Sequence, residues 1–110
     1  MNNIDLLKDI SEQIKEINRK RFVSEDNQEK EVLDLSLIAL KEAERVEVAR
    51  LSGEIIEKME EVGAKLKAYA KEIRERVTRM SQFQKDVDSV ESVAKGVLRV
   101  IDAVLEWIIK

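Results

Sequence analysis

The chain has 110 residues, of which 44% are hydrophobic and 39% are charged, and it carries a net charge of −3. This composition is too apolar for a disordered chain, and the negative net charge disfavours general nucleic-acid binding, which requires a basic surface. Because cysteine and histidine are absent, disulfides, Cys/His zinc sites and histidine acid–base catalysis are excluded.

Hydrophobic residues recur at intervals of three and four along a chain that has no proline and only three glycines, so we predict an all-α fold. A first helix is predicted over about residues 4–21, with Ile10, Ile14 and Ile17 on one face. A polar linker follows at about residues 22–29, where Ser24 or Asp26 is expected to cap the next helix.

A long central helix is predicted over about residues 30–80. Its apolar stripe comprises Val48, Leu51, Ile55, Met59, Val62, Leu66, Tyr69, Ile73, Val77 and Met80. The mean spacing of about 3.5 residues is nearer to a coiled-coil heptad than to a straight helix. The stripe keeps its phase across Ser52 and Gly53, but glycine is the commonest helix terminator, so a break at residues 52–53 remains open.

A C-terminal helix is predicted over about residues 86–109, and it is apolar over most of its circumference. Such a helix needs several neighbours, and one chain with a rod at residues 30–80 supplies too few. We therefore predict a homo-oligomeric helical bundle or coiled coil that is a single domain over residues 1–110. The alternative is a compact monomeric four-helix bundle, broken at residues 52–53 and near Phe83.

Charge is segregated along the predicted central helix. Residues 54–61 hold four glutamates and one lysine, whereas residues 65–79 hold six basic residues and two glutamates. Two such helices that cross antiparallel near Gly63 would place acid opposite base, which suggests an antiparallel homodimer. A solvated face with ordinary pairs four residues apart explains the same pattern.

The sequence shows no activated nucleophile and no poised base, so we interpret the chain as a non-enzymatic helical interaction or assembly module. Its partner surface is predicted to be the apolar stripe from Val48 to Met80 together with Val93, Val100 and Trp107. The expected partner is a second copy or another helical protein, in the cytoplasm, with no cofactor and no nucleic acid. The mixed charges beside Trp107 disfavour membrane binding.

Alternative functions rest on smaller patterns. Acidic pairs three residues apart, which share a helix face and can chelate a divalent cation, are Glu44/Glu47, Glu57/Glu60 and Asp88/Glu91. This spacing is similar to that of the all-helical nucleotide pyrophosphohydrolases, and the resemblance implies a metal-dependent nucleotide hydrolase. A membrane-surface protein or a helical secretion partner is the other alternative. A basic cluster is expected to suit the end of the first helix, or to contact phosphate, and comprises Lys15, Arg19, Lys20 and Arg21.

Overall fold

The structure is a computed structural model that describes residues 3–54, 59–80 and 88–109. These residues form four helices and no strand: α1 (Asn3–Val23), α2 (Asn27–Leu51), α3 (Met59–Met80) and α4 (Asp88–Ile109). The predictions of an all-α fold and a helical bundle are confirmed.

The connection between α1 and α2 is shorter than the predicted linker, because α1 continues to Val23. Of the two predicted capping residues, Asp26 caps α2: its carboxylate accepts a hydrogen bond of 3.0 Å from the backbone N–H of Glu29. The hydroxyl of Ser24 donates to the side chain of Glu29, with 2.7 Å between the oxygens. These bonds allow residues 24–26 alone to join two long helices.

The prediction of one helix over residues 30–80 is wrong, because α2 ends at Leu51. Gly53 has a φ of +72°, its N–H bonds the carbonyl of Arg50, and the N–H of Glu54 bonds the carbonyl of Ala49. These two bonds form a Schellman motif, which satisfies the last carbonyls of the helix and needs the left-handed conformation that glycine adopts without strain. The longest dimension of the molecule is 44 Å, whereas a 50-residue rod would measure roughly 75 Å.

α3 and α4 run antiparallel. The start of α3 meets the end of α4, since a Cβ added to Gly63 would lie 3.5 Å from the Ile108 side chain. The end of α3 meets the start of α4, since Met80 and Val90 share a buried cluster. The predicted break near Phe83 falls at residues 81–87, which lie outside the described residues. Gly63 is buried against α4 of its own chain, so it is not available as the crossing point of an antiparallel dimer.

The four helices form a skewed bundle rather than a square one. α2 and α4 run parallel, because their starts lie side by side and so do their ends. They pack directly on each other along a diagonal of the bundle, so α2 contacts all three other helices. Among the described helices α1 and α3 are not in contact, and α1 packs extensively on α2 but only sparsely on α4. Because α4 is covered by three helices of its own chain, the shortage of neighbours that favoured an oligomer is removed.

The main core is made of side chains from all four helices, as the hydrophobic periodicity requires. Its largest fully buried members are Ile10, Ile17, Leu33, Leu40, Val46, Leu66, Ile73, Val97, Val100 and Ile101. The extended apolar run of α2 around Leu35–Leu40 contributes to this core, and α2 contacts several neighbours as that run predicted.

Candidate surfaces and the groove between α1 and α4

The structure divides the predicted partner surface into three groups. Side chains buried in the bundle are those of Val62, Leu66, Ile73, Met80 and Val100. Side chains that are partly buried are those of Met59, Tyr69, Val77 and Val93. Exposed side chains are those of Val48, Leu51 and Trp107, whereas Ile55 lies outside the described residues. Most of the apolar stripe is therefore covered within the chain, and a small part of it is open.

The exposed members lie where α2 and α4 end, and we call Val48, Leu51 and Trp107 the end surface. Arg50 links the two helices there, because its guanidinium carbon lies 5.8 Å from the centre of the Trp107 ring, within cation–π range. Its Nε donates to the Glu47 carboxylate over 2.6 Å. Since Glu47 is only 2% exposed, this ion pair fixes Arg50, and Arg50 in turn holds the indole against the end of α2.

The acidic pairs do not assemble into a metal site in the part of the chain that the structure describes, where no three metal-ligating side chains come together. In the pair Glu44/Glu47, the second carboxylate is buried and bound to Arg50. Glu57 and the side chain of Asp88 lie outside the described residues, so the other two pairs are described only in part. No described helix combines the length and the apolar character that crossing a bilayer requires.

The cations of the basic cluster are largely engaged within the chain. Arg19 and Lys20 both contact the carboxylate of Glu16, and Arg21 pairs with Asp34 across the contact between α1 and α2. The hydrogen bond from Arg19, more than the accompanying charges, lowers the pKa of Glu16 below its ordinary value. These pairings support the structural interpretation of the cluster over a phosphate contact.

Sequence reasoning missed a groove of about 310 Å³ between α1 and α4, which we call the α1–α4 groove. Six of its eight lining residues have polar or charged side chains, and the lining comprises Asp9, Gln13, Glu16, Lys20, Ser92, Val93, Gly96 and Arg99. The side-chain oxygen and nitrogen of Gln13 are both buried, and neither has a hydrogen-bond partner. One pattern in the sequence could have indicated the groove: the spacing of Asp9, Gln13, Glu16 and Lys20 places four polar side chains along one side of α1.

A buried amide without a partner is unusual, because it loses its hydrogen bonds to water and gains none in return. The amide of Gln13 lies beside Gly96, where an added Cβ would approach its Oε1 to 3.1 Å. The absence of a side chain at position 96 therefore lets the Gln13 side chain fold between the helices.

Comparison with protein-family models, with curated proteins and with solved structures gives no significant match.

Proposed function

We propose that the protein is a non-enzymatic helical assembly module, in which the end surface of one copy packs against the end surface of a second copy. The observation that carries the proposal is the exposure of large apolar side chains where α2 and α4 end: 46% for Val48, 41% for Leu51 and 36% for Trp107. Another helical protein is the alternative partner of the same surface.

The chemistry of the end surface suits a protein contact. Tryptophan and arginine are the residues most enriched at binding hot spots, and here Arg50 stacks near Trp107 in an arrangement fixed by the buried Glu47. A two-fold contact sets a surface against itself, so charges at its rim can pair across the contact only when both signs are present. The exposed Arg45 and Glu54 provide them on either side of the apolar residues.

The size of the end surface indicates how tightly two copies are expected to bind. Stable interfaces bury about 800 Å² on each partner, and three partly exposed side chains provide less than that. We therefore expect a weak, concentration-dependent dimer, and the solution mass must be measured by light scattering over a wide range of protein concentration. The mass is expected to rise from 12.7 kDa towards twice that value as the concentration increases.

A charged variant of the end surface, Val48→Glu with Leu51→Glu, is expected to keep the monomer mass at every concentration. Its control is Ile38→Glu, which changes an even more exposed apolar side chain in the middle of α2 and is expected to leave the dimer intact. A mass of 12.7 kDa for the unaltered chain throughout the range would contradict the proposal, as would equal loss of the dimer in both variants.

A further inference from the structure

We propose that the α1–α4 groove is a binding site for a small zwitterionic molecule with the size and charge pattern of a free α-amino acid. The proposal rests on the lining of the groove and on the unpartnered amide of Gln13. It is independent of the end surface, which lies where α2 and α4 end.

The volume of the groove limits the ligand to a small molecule. At about 310 Å³ it lies at the lower end of the range of known ligand sites, which begins near 300 Å³. A helix of a partner protein would not enter it without moving α1 away from α4.

The charges of the lining favour a ligand that carries both signs. Two carboxylates, Asp9 and Glu16, and two cations, Lys20 and Arg99, face the groove, so their formal charges cancel. A simple anion would meet the carboxylates, and a simple cation would meet the basic groups. A zwitterion can place each of its charged groups beside an opposite charge.

One end of the groove provides such a pair. Gln13 of α1 lies beside Gly96 of α4, and the end of α1 lies near the start of α4, where Val23 and Val90 line one cavity, so the two helices run in opposite directions. Asp9 is four residues before Gln13 and Arg99 is three residues after Gly96, so both lie towards the same end of the groove. Neither has an ion-pair partner among the described residues, whereas Glu16 is already engaged by Arg19 and Lys20. We assign the ammonium group of the ligand to Asp9 and its carboxylate to Arg99.

The Gln13 amide supplies the third contact. Turning this amide from Gly96 into the groove breaks no hydrogen bond, because neither amide atom has a partner. In the groove it offers one acceptor and two donors to a polar group of the ligand. A ligand with an amide of its own, such as glutamine, would satisfy both atoms at once.

The experiment is a titration of the isotope-labelled full chain with L-glutamine, followed by the NMR signals of the Gln13 side-chain amide and of the backbone at residues 92–99. Propylamine and propionate, which each carry only one of the two charges, are titrated separately at the same ionic strength. We expect saturable shifts with glutamine alone. Absence of saturation, or equal shifts with either single-charge compound, would overturn the proposal.

Two conservative variants locate the contacts. Asp9→Asn and Arg99→Gln each remove one charge from the groove, and each is expected to weaken glutamine binding about tenfold or more, as loss of a charge-assisted hydrogen bond does. The matched controls are Glu75→Gln and Arg74→Gln on the exposed face of α3, which are expected to bind as the unaltered chain does. Unchanged binding in both groove variants would overturn the assignment, and the solution mass of the chain is expected to be the same in all four.

Discussion

Two edges of the bundle, one between α2 and α3 and one between α1 and α4, are formed by antiparallel helices, but the side-chain contacts across them differ. Across the edge between α2 and α3, Arg76 reaches Glu31 with 2.6 Å between Nη1 and Oε2, and its guanidinium also bonds Glu72. The edge between α1 and α4 contains instead the α1–α4 groove, with its four charged side chains, and the unpartnered amide of Gln13. One side of this small bundle is therefore bridged by an ion pair, whereas the other keeps polar groups without partners, at a cost in stability.

The largest expected effect on stability comes from substituting two valines of the same helix, α4. Val97 is fully buried in the core, and Val93 is partly buried and lines the α1–α4 groove. We expect Val97→Ala to lower the free energy of unfolding by roughly 2–3 kcal/mol, from lost burial and the cavity left behind. We expect Val93→Ala to lower the free energy of unfolding by only about 1 kcal/mol, because its side chain is partly exposed. Urea unfolding monitored by circular dichroism measures both, and equal costs would show that the groove side is packed as tightly as the core.

Replacing each of two glycines by alanine is expected to change the free energy of unfolding in opposite directions. Gly53→Ala forces a side chain into the left-handed conformation and should cost about 1–2 kcal/mol of unfolding free energy. Gly96→Ala should stabilise the chain by up to about 1 kcal/mol, since alanine is the better helix former and the Gln13 amide can move into the groove without losing a bond. Thermal and urea unfolding give both signs. Destabilisation by Gly96→Ala would mean that Gln13 has no room to move.

The smallest expected effect concerns Glu16 at the rim of the groove. The hydrogen bond from Arg19 lowers the pKa of Glu16, so its small contribution to stability is present above the pKa of the unfolded chain and is lost as the pH falls below about 4.5. An NMR titration of the Glu16 carboxyl should give a pKa below the ordinary value, and Arg19→Gln should raise it. An unchanged pKa in that variant would indicate that another group, such as Lys20, holds the carboxylate.

The sequence predicted the helical content well, but it favoured one continuous helix where the chain reverses at Gly53. The periodicity of α1 and of the valine-rich α4, and the cap at Asp26, follow from local physics that the sequence displays directly. At Gly53 two local signals conflicted, because the apolar phase continued while the glycine favoured an end. Packing decides such a conflict: once the chain reverses, α3 can cover α2 and α4 of the same molecule.

The candidate surfaces were less predictable. Trp107, Val48 and Leu51 were among the predicted partner residues, but periodicity alone does not separate them from the predicted partner residues that are buried. The groove was not predicted at all, because its walls come from helices at opposite ends of the chain. The pairing of Gln13 with Gly96 depends on the skew of the bundle, which no local pattern encodes.

The position of Trp107 has a practical consequence. It is the only tryptophan in the chain, so its fluorescence reports on the ends of α2 and α4 and on no other region. A change of emission with protein concentration, without loss of helical circular dichroism, would therefore follow events at that end alone. Emission from the single indole, read together with circular dichroism, can therefore distinguish docking of an intact molecule from its denaturation.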